Sequence, residues 1–229
     1  MTTTLVQSKS GVQSTAATGT TATWDSGATA GNKLYLVISS DATFSGPSGW
    51  TIMATSQINA IQFDVWTKTA AGGETSATYT NTAATMSSWV FAEFSNVGTL
   101  ISASSQQGAS SPPGYTTPSN TPSAGDTLLF AAFGGSFPST QTPGTPYTWS
   151  NTFSAIADAQ VQQGGGIWVA AAAAWREVTA DGSTAYSTAA SWGNTSNSST
   201  TSYSAIGSYP VTGGGGGSSW TYGFDVVIG

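Results

Sequence analysis

Cysteine and histidine are both missing from this chain of 229 residues. Their absence removes disulfides, thiolate nucleophiles and Cys/His zinc sites. Without an imidazole base, no Ser-His-Asp triad can be assembled. Charge is the next scarcity: 6% of residues are Asp, Glu, Lys or Arg, against roughly 25% in an ordinary soluble domain. Only Lys9, Lys33, Lys68 and Arg176 are positive and the net charge is −6, which argues against a phosphate-tracking groove and sets nucleic acid aside as a partner. Long apolar runs are also lacking. The longest, IWVAAAAAW at 167–175, is far shorter than the roughly 20 residues that span a bilayer, so no membrane insertion is expected. The opening MTTTLVQSKSGVQ has no basic stretch leading into an apolar one and does not read as a signal peptide.

What remains is Ser, Thr, Gly and aromatics. Aromatic residues make up 11% of the chain, nine of them Trp, and a disordered chain would be poor in them. The pattern is one of strands. In IQFDVWTK, Ile61, Phe63 and Val65 share one face while Gln62, Asp64, Trp66 and Lys68 share the other, a period of two that predicts a half-buried strand. WTYGFDVVI near the end alternates in the same way, with Trp220, Tyr222, Phe224, Val226 and Ile228 on one face. Further strands are predicted at 5–13, around 21–24, at 33–39, in TIMATSQ, at 75–81 and at 87–98. The run AAAAA at 170–174 is the best helix former there is, but it lies in an apolar stretch too short for an independent helix and is read as a strand. Its small side chains suit close packing on both faces.

The chain also repeats itself. AGNKLYLVI (30–38) matches AGDTLLFAA (124–132), SGWT (48–51) matches YTWS (147–150), VWTKTAAGGETSATYT (65–80) matches AWREVTADGSTAYST (174–188), and SSWVFAEFSNV matches TSYSAIGSYPV (201–211). DAQVQQGGG (158–166) reads as an insertion that widens the second unit. Order is kept while spacing changes, as in a duplicated β unit. The expected fold is all-β, a two-sheet β-sandwich of jelly-roll-like kind built from two repeated halves, 1–98 and 99–229, the second ending in a Gly-rich hairpin.

AGN/AGD before an apolar strand, then PSGWT, WTKTA, AGG, SATYT and WVFAEFSNV together resemble the Gly/Ser/Thr-rich β-sandwich domains of tailed-bacteriophage structural proteins. Minor tail and capsid-decorating proteins are among them, as are some bacterial surface proteins. The resemblance covers 5–98 closely and 99–211 more loosely. It implies a non-enzymatic virion protein on the particle exterior, minor tail protein first and capsid decoration second, made in the host cytoplasm. Other virion proteins and copies of itself in a homo-oligomer would be its partners, and no cofactor is implied.

The alternative chemistries are few. A glycosidase needs two carboxyl groups about 5–9.5 Å apart; Asp64 with Glu93, or Glu177 with Asp181, would qualify if their strands meet. WDSG (24–27), SSDA (39–42) and TADG (179–182) offer loop aspartates, but none has the dense spacing of a calcium loop, and turn formation accounts for them. The Gly run at 213–217 lacks the Lys-Ser/Thr of a P-loop. Trp50, Tyr115, Tyr147, Trp149 and Trp220 sit at or near loops and are the candidate glycan contacts of a carbohydrate- or receptor-binding module. The recurrence of Trp50 and Trp149 at one repeat position favours a packing role instead. No catalytic, metal or cofactor-binding residue is assigned. Chelation is therefore expected to leave the melting temperature unchanged; a fall of more than a few degrees in EDTA, restored by calcium, would reinstate the aspartate loops.

Overall fold

Thr, Val, Ile and aromatic side chains fit a pleated surface, and here they fill the stretches between Gly-, Pro- and Asp-containing turns. The computed structural model describes residues 2–58, 60–108, 115–138, 147–163, 166–191 and 201–212, and among them there is no helix. The first half supplies β1 (Thr4–Thr23), β2 (Lys33–Ser40), β3 (Phe44–Ser45), β4 (Thr51–Ile58), β5 (Ile61–Thr69) and β6 (Ser76–Ser95). The second supplies β7 (Ser102–Gly108), β8 (Tyr115–Thr116), β9 (Gly125–Phe137), β10 (Thr148–Trp149), β11 (Ser154–Gln162), β12 (Trp168–Ala180), β13 (Ala189–Ser191) and β14 (Thr201–Pro210). The protein is an all-β, two-sheet sandwich.

Each sheet comes from one half of the chain. The first runs β1-β6-β2-β5-β4, with β3 also on β6; the second runs β7-β14-β9-β12-β11; β8-β13-β10 form a small third sheet. Strand for strand the two orders coincide, and the small sheet repeats the arrangement that β3 and the far ends of β1 and β6 make in the first half. The halves also meet at their ends, where Val97 and Val211 form a bridge and Gly98 N–H donates to the Pro210 carbonyl.

Sequence resemblance and side-chain facing part company here. Leu34, Trp66 and Trp89 pack on the outer side of the first sheet, whereas their matched partners Leu128, Trp175 and Tyr203 face or pack against the core between the sheets. A shift of one residue flips a strand's faces, so the repeat holds for strand order and not residue by residue. Segments expected as separate strands run together in β1 and β6, where register shifts at Gln13/Ala17 and Ala17/Gly19 mark the bend. Asp158–Gln162, read as insertion, completes β11. The Gly-rich closing segment and the alternating strand at 220–228 lie outside the described residues.

The central core joins Tyr35, Val37, Phe63, Val65, Val90, Ala92 and Phe94 of the first sheet to Leu128, Phe130, Ala132, Ala171, Ala173, Tyr203 and Tyr209 of the second. Tyr35 stacks on Phe130 at 4.2 Å between centroids, and Phe63 lies parallel to Tyr203 at 5.8 Å. The outer faces are covered too, so the expected wet face of β5 is largely shielded: Asp64 is buried, and Gln62, Trp66 and Lys68 are half-buried. The β1–β6 arm folds back, bringing Ala22, Trp24, Ala77 and Tyr79 over Leu34, Leu36, Ile38, Trp89 and Phe91. On the second sheet, Phe133, Phe137, Ala170 and Ala172 lie under Tyr147 and Trp149. The alanine run is strand, as expected: Ala170–Ala174 pair with β9 and β11 and are fully buried between these layers.

Gly134 shows how tightly the layers meet, since a methyl there would run into the Phe63 ring. Gly134→Ala is expected to destabilise the fold by about 1–3 kcal/mol through overpacking. Gly19→Ala is the control, as nothing lies within 4 Å of the added methyl. Equal urea midpoints for the two variants would show that the layers can separate freely.

Candidate functional site

The repeat carries each Trp of interest to the head of a hairpin on an outer face. Trp50 enters β4 after the turn at Pro47, whose carbonyl accepts its N–H at 3.3 Å, and packs half-buried on the outer cluster of the first sheet. Trp149 lies in β10, half-buried across both outer clusters of the second sheet. Both lie in the layer over a sheet, between a loop and the strands, and present part of each ring to solvent. Tyr147 must leave the candidate set. It is 2% exposed, its ring is tilted against Phe133 at 5.4 Å, and no sugar can reach it. Tyr115 opens β8, and Trp220 is outside the described residues. Among the described residues, Trp50 and Trp149 lie over different sheets and form no continuous platform.

A feature missed in the sequence lies beside Trp149. Asn151, Thr152, Arg176, Ala185, Tyr186 and Ser187 line a surface hollow of about 330 Å³. Arg176 stacks over the Tyr186 ring at 5.7 Å and donates to the Asn151 carbonyl at 3.1 Å. Asn151 and Thr152 both hold positive φ, 55° and 60°, an unusual pair for non-glycine residues. The turn is fixed by Asn151 Nδ2 donating to the Ser187 carbonyl at 2.8 Å. A guanidinium, a phenol and exposed amide groups on a rigid turn can hold a polar ligand.

Most of the described carboxylates are occupied with holding the fold. Glu93 is fully buried in β6; its Oε1 accepts from Thr29 N–H at 2.8 Å and Asn32 Nδ2 at 2.6 Å, and its Oε2 from Gln7 Nε2 at 2.5 Å. Asp64 lies in β5 opposite Ile38 of β2, while Glu93 lies opposite Leu34. With β2 between them and four residues of offset, the two stand roughly 16 Å apart by ordinary strand spacing, too far for a glycosidase pair. Glu177 Oε2 accepts from Thr3 N–H at 2.6 Å. Asp181 accepts from Ser183 and Thr184 N–H at 2.8 and 2.6 Å, and these backbone donors hold its carboxyl below the usual range. Burial acts to raise Glu74, but the N–H groups of Ala71 and Gly72 and the Lys68 ammonium at 2.9 Å outweigh it and set its pKa at about 2. Asp25 pairs with Lys9. Among the described residues, no three His, Cys, Asp or Glu gather as a metal site.

Asp64 is different. It is 1% exposed, Oδ2 accepts from Gln62 Nε2 at 2.8 Å, and Oδ1 makes no well-formed bond, Thr55 and Trp66 being its polar neighbours. Burial raises its pKa, opposed by smaller hydrogen-bond contributions from Thr55, Gln62 and Trp66.

No family model matches the chain, and no curated protein or solved structure is significantly similar to it.

The raised Asp64 pKa fixes the sign of a pH effect. The folded carboxyl keeps its proton to a higher pH than the unfolded one, so its contribution is fully present below the unfolded value and is lost as the pH rises through the folded value. Asp64→Asn is expected to melt higher than wild type at pH 7 and to flatten part of the decline from acid to neutral pH. A lower melting temperature at pH 7, with the decline unchanged, would show that the ionised carboxylate is stabilising.

Proposed function

We propose that this chain is a non-enzymatic structural protein of a tailed-bacteriophage virion, on the particle exterior, as a minor tail protein first and a capsid decoration protein second. The resemblance of residues 5–98 supports the virion assignment. The observation that carries the assembly reading is the pair of sandwich edges. β1 ends its sheet and is hydrogen-bonded within it to β6 alone. Its single lysine, Lys9, is held by Asp25, whereas lysines commonly block such edges from pairing.

The large exposed apolar residues fall on the same features. Val6 (46% exposed) and Val12 (42%) lie on β1, while Ile52 (40%) lies on β4 at the opposite edge and Ile101 (41%) just before β7. Contact between opposite edges of successive copies is heterologous and closes rings when the rotation allows. A ring or a docked row is the form in which such a protein serves a particle. The second reading, a module that binds host-surface glycan, is favoured by the Arg176–Tyr186 hollow beside Trp149.

Two substitutions test assembly. Wild-type protein is expected to sediment as an oligomer at micromolar concentration, and the Val6→Lys/Val12→Lys double variant as a monomer with an unchanged melting temperature. A monomeric wild type that also fails to associate with particles would overturn the proposal. Loss of host-cell adsorption on Arg176→Ala, with assembly intact, would favour the glycan reading.

A further inference from the structure

Half of the chain's four basic residues line one hollow. Lys33, Gly49, Thr51, Thr67, Lys68, Thr69, Thr99 and Leu100 enclose about 300 Å³ where the start of β2, the end of β5 and the head of β4 meet the connector between the two halves. The two lysines differ in state. Lys68 is neutralised by Glu74 at 2.9 Å. Lys33 is 9% exposed, and among the described residues no carboxylate stands within 4 Å of its ammonium, as the ion pairs belong to Lys9 and Lys68. Its nearest charge-compensating contact is the Tyr209 ring, 5.9 Å from Nζ. Burial lowers the Lys33 pKa, the mark of a cation held without its counter-charge.

The hydroxyls around it point to the same conclusion. Thr67 is 4% exposed and its Oγ1, on the wall of the hollow, makes no well-formed hydrogen bond, its polar neighbour being the Tyr209 hydroxyl. The phenols of Tyr35 and Tyr209, buried in the adjoining core, lie against each other, and the Tyr209 hydroxyl also neighbours Thr67. A cation with no counter-charge and a buried hydroxyl without a well-formed bond each cost stability, so a hollow lined by both is suited to a ligand that meets both. No hydrophobic substitution is blocked at Lys33 by the backbone, since it is an ordinary strand residue opposite Thr69 and Phe94.

We infer that this hollow binds a small hydroxylated monocarboxylate, the chemistry of an acidic sugar. The Lys33 ammonium pairs with the carboxylate, the Thr67 hydroxyl donates to it, and Thr51, Thr69 and Thr99 meet the hydroxyls. One unpaired cation matches one negative charge. A phosphate, carrying about −1.5 to −2 at neutral pH, would require Lys68 to leave Glu74. The volume is at the small end of the roughly 300–1,000 Å³ of ligand pockets, which fits a single sugar unit. The hollow borders the β4 edge, where Thr51 and Leu100 adjoin Ile52 and Ile101, but its carboxylate-binding groups, Lys33 and Thr67, lie on the inner strands β2 and β5.

Titration of the full chain with sodium glucuronate, glucose and inorganic phosphate, followed by calorimetry and amide NMR shifts, tests the inference. Glucuronate is expected to bind saturably with shifts at Lys33, Thr67 and Thr69, and glucose to leave them unmoved. Lys33→Met should weaken glucuronate about tenfold or more, as loss of a charge-assisted bond does, and should melt at or above the wild type without ligand. Thr67→Val should weaken binding severalfold, and Lys9→Met, which makes the same change in net charge elsewhere, should leave it unchanged. Equal response to glucose, tighter binding of phosphate, equal losses in Lys33→Met and Lys9→Met, or no saturable binding would each overturn the inference. Should Lys33→Met fail to fold, Thr67→Val and the comparison of ligands decide the matter.

Discussion

The face-to-face contact of two aromatic sheets is the constraint from which the rest of the molecule follows. Tyr35 on Phe130 and Phe63 beside Tyr203 set the seam, and aromatic pairs of this kind stabilise beyond their buried area. Tyr203 also reaches across the seam with its hydroxyl, accepting from Ile58 N–H at 2.9 Å and donating to the Ile61 carbonyl at 3.0 Å. One side chain of the second half thereby caps the β4–β5 hairpin of the first. Neither sheet is amphipathic, however, because Leu34, Leu36 and Ile38 in one and Leu129, Ala131 and Phe133 in the other face away from the seam. A second apolar face requires a second cover. The folded-back β1–β6 arm and the small third sheet are those covers.

A fold this dry, made with few charges, has to satisfy its polar groups by other means. Hydroxyls and amides do much of it: Ser40 with Asn81 at 3.1 Å, Tyr79 with Ser87 at 2.5 Å, Ser102 with Ser208 at 2.9 Å. The scarce carboxylates are spent where the backbone leaves donors unpaired. Glu93 gathers the 29–32 turn, Glu177 ties Thr3 near the start of the chain to the opposite sheet, and Asp181 closes the turn after β12. A carboxylate saturated by structural donors, as Glu93 and Asp181 are, is poorly placed to exchange protons with a substrate.

The sequence was legible wherever period and order carried the information. Alternation in IQFDVWTK, the duplicated strand order and the strand character of the alanine run were all visible. Three things were not. The outer covers could not be read, because a strand buried on both faces and one buried on a single face differ only in what arrives from elsewhere in the chain; hence Asp64, outward by alternation, is buried. The one-residue flip between halves was hidden by similar short words, since Leu34 and Leu128 look alike in either orientation. The Lys33 hollow joins residues near 33, 50, 68 and 99, with no common spacing. Its only signal was that basic residues are rare here, so each one called for a partner and Lys33 had none in its own neighbourhood of sequence.

The shared strand order of the two sheets explains why the edges fall where they do. Two sheets with the same strand order, laid face to face, leave β1 and β4 at opposite ends of one sheet and β7 and β11 at opposite ends of the other. β1 lies beside β11 and β4 beside β7, so each side of the sandwich carries one edge of each kind, and contact between the two sides of successive copies is head-to-tail. The Lys33 hollow lies beside the β4 edge, where the first unit ends and the connector at 99–101 begins the second. Its wall therefore includes residues that no single unit contains. Thr99 and Leu100 close a space opened by Lys33 and Thr67, so the hollow is a property of the joined pair, and a lone copy of the unit would lack it.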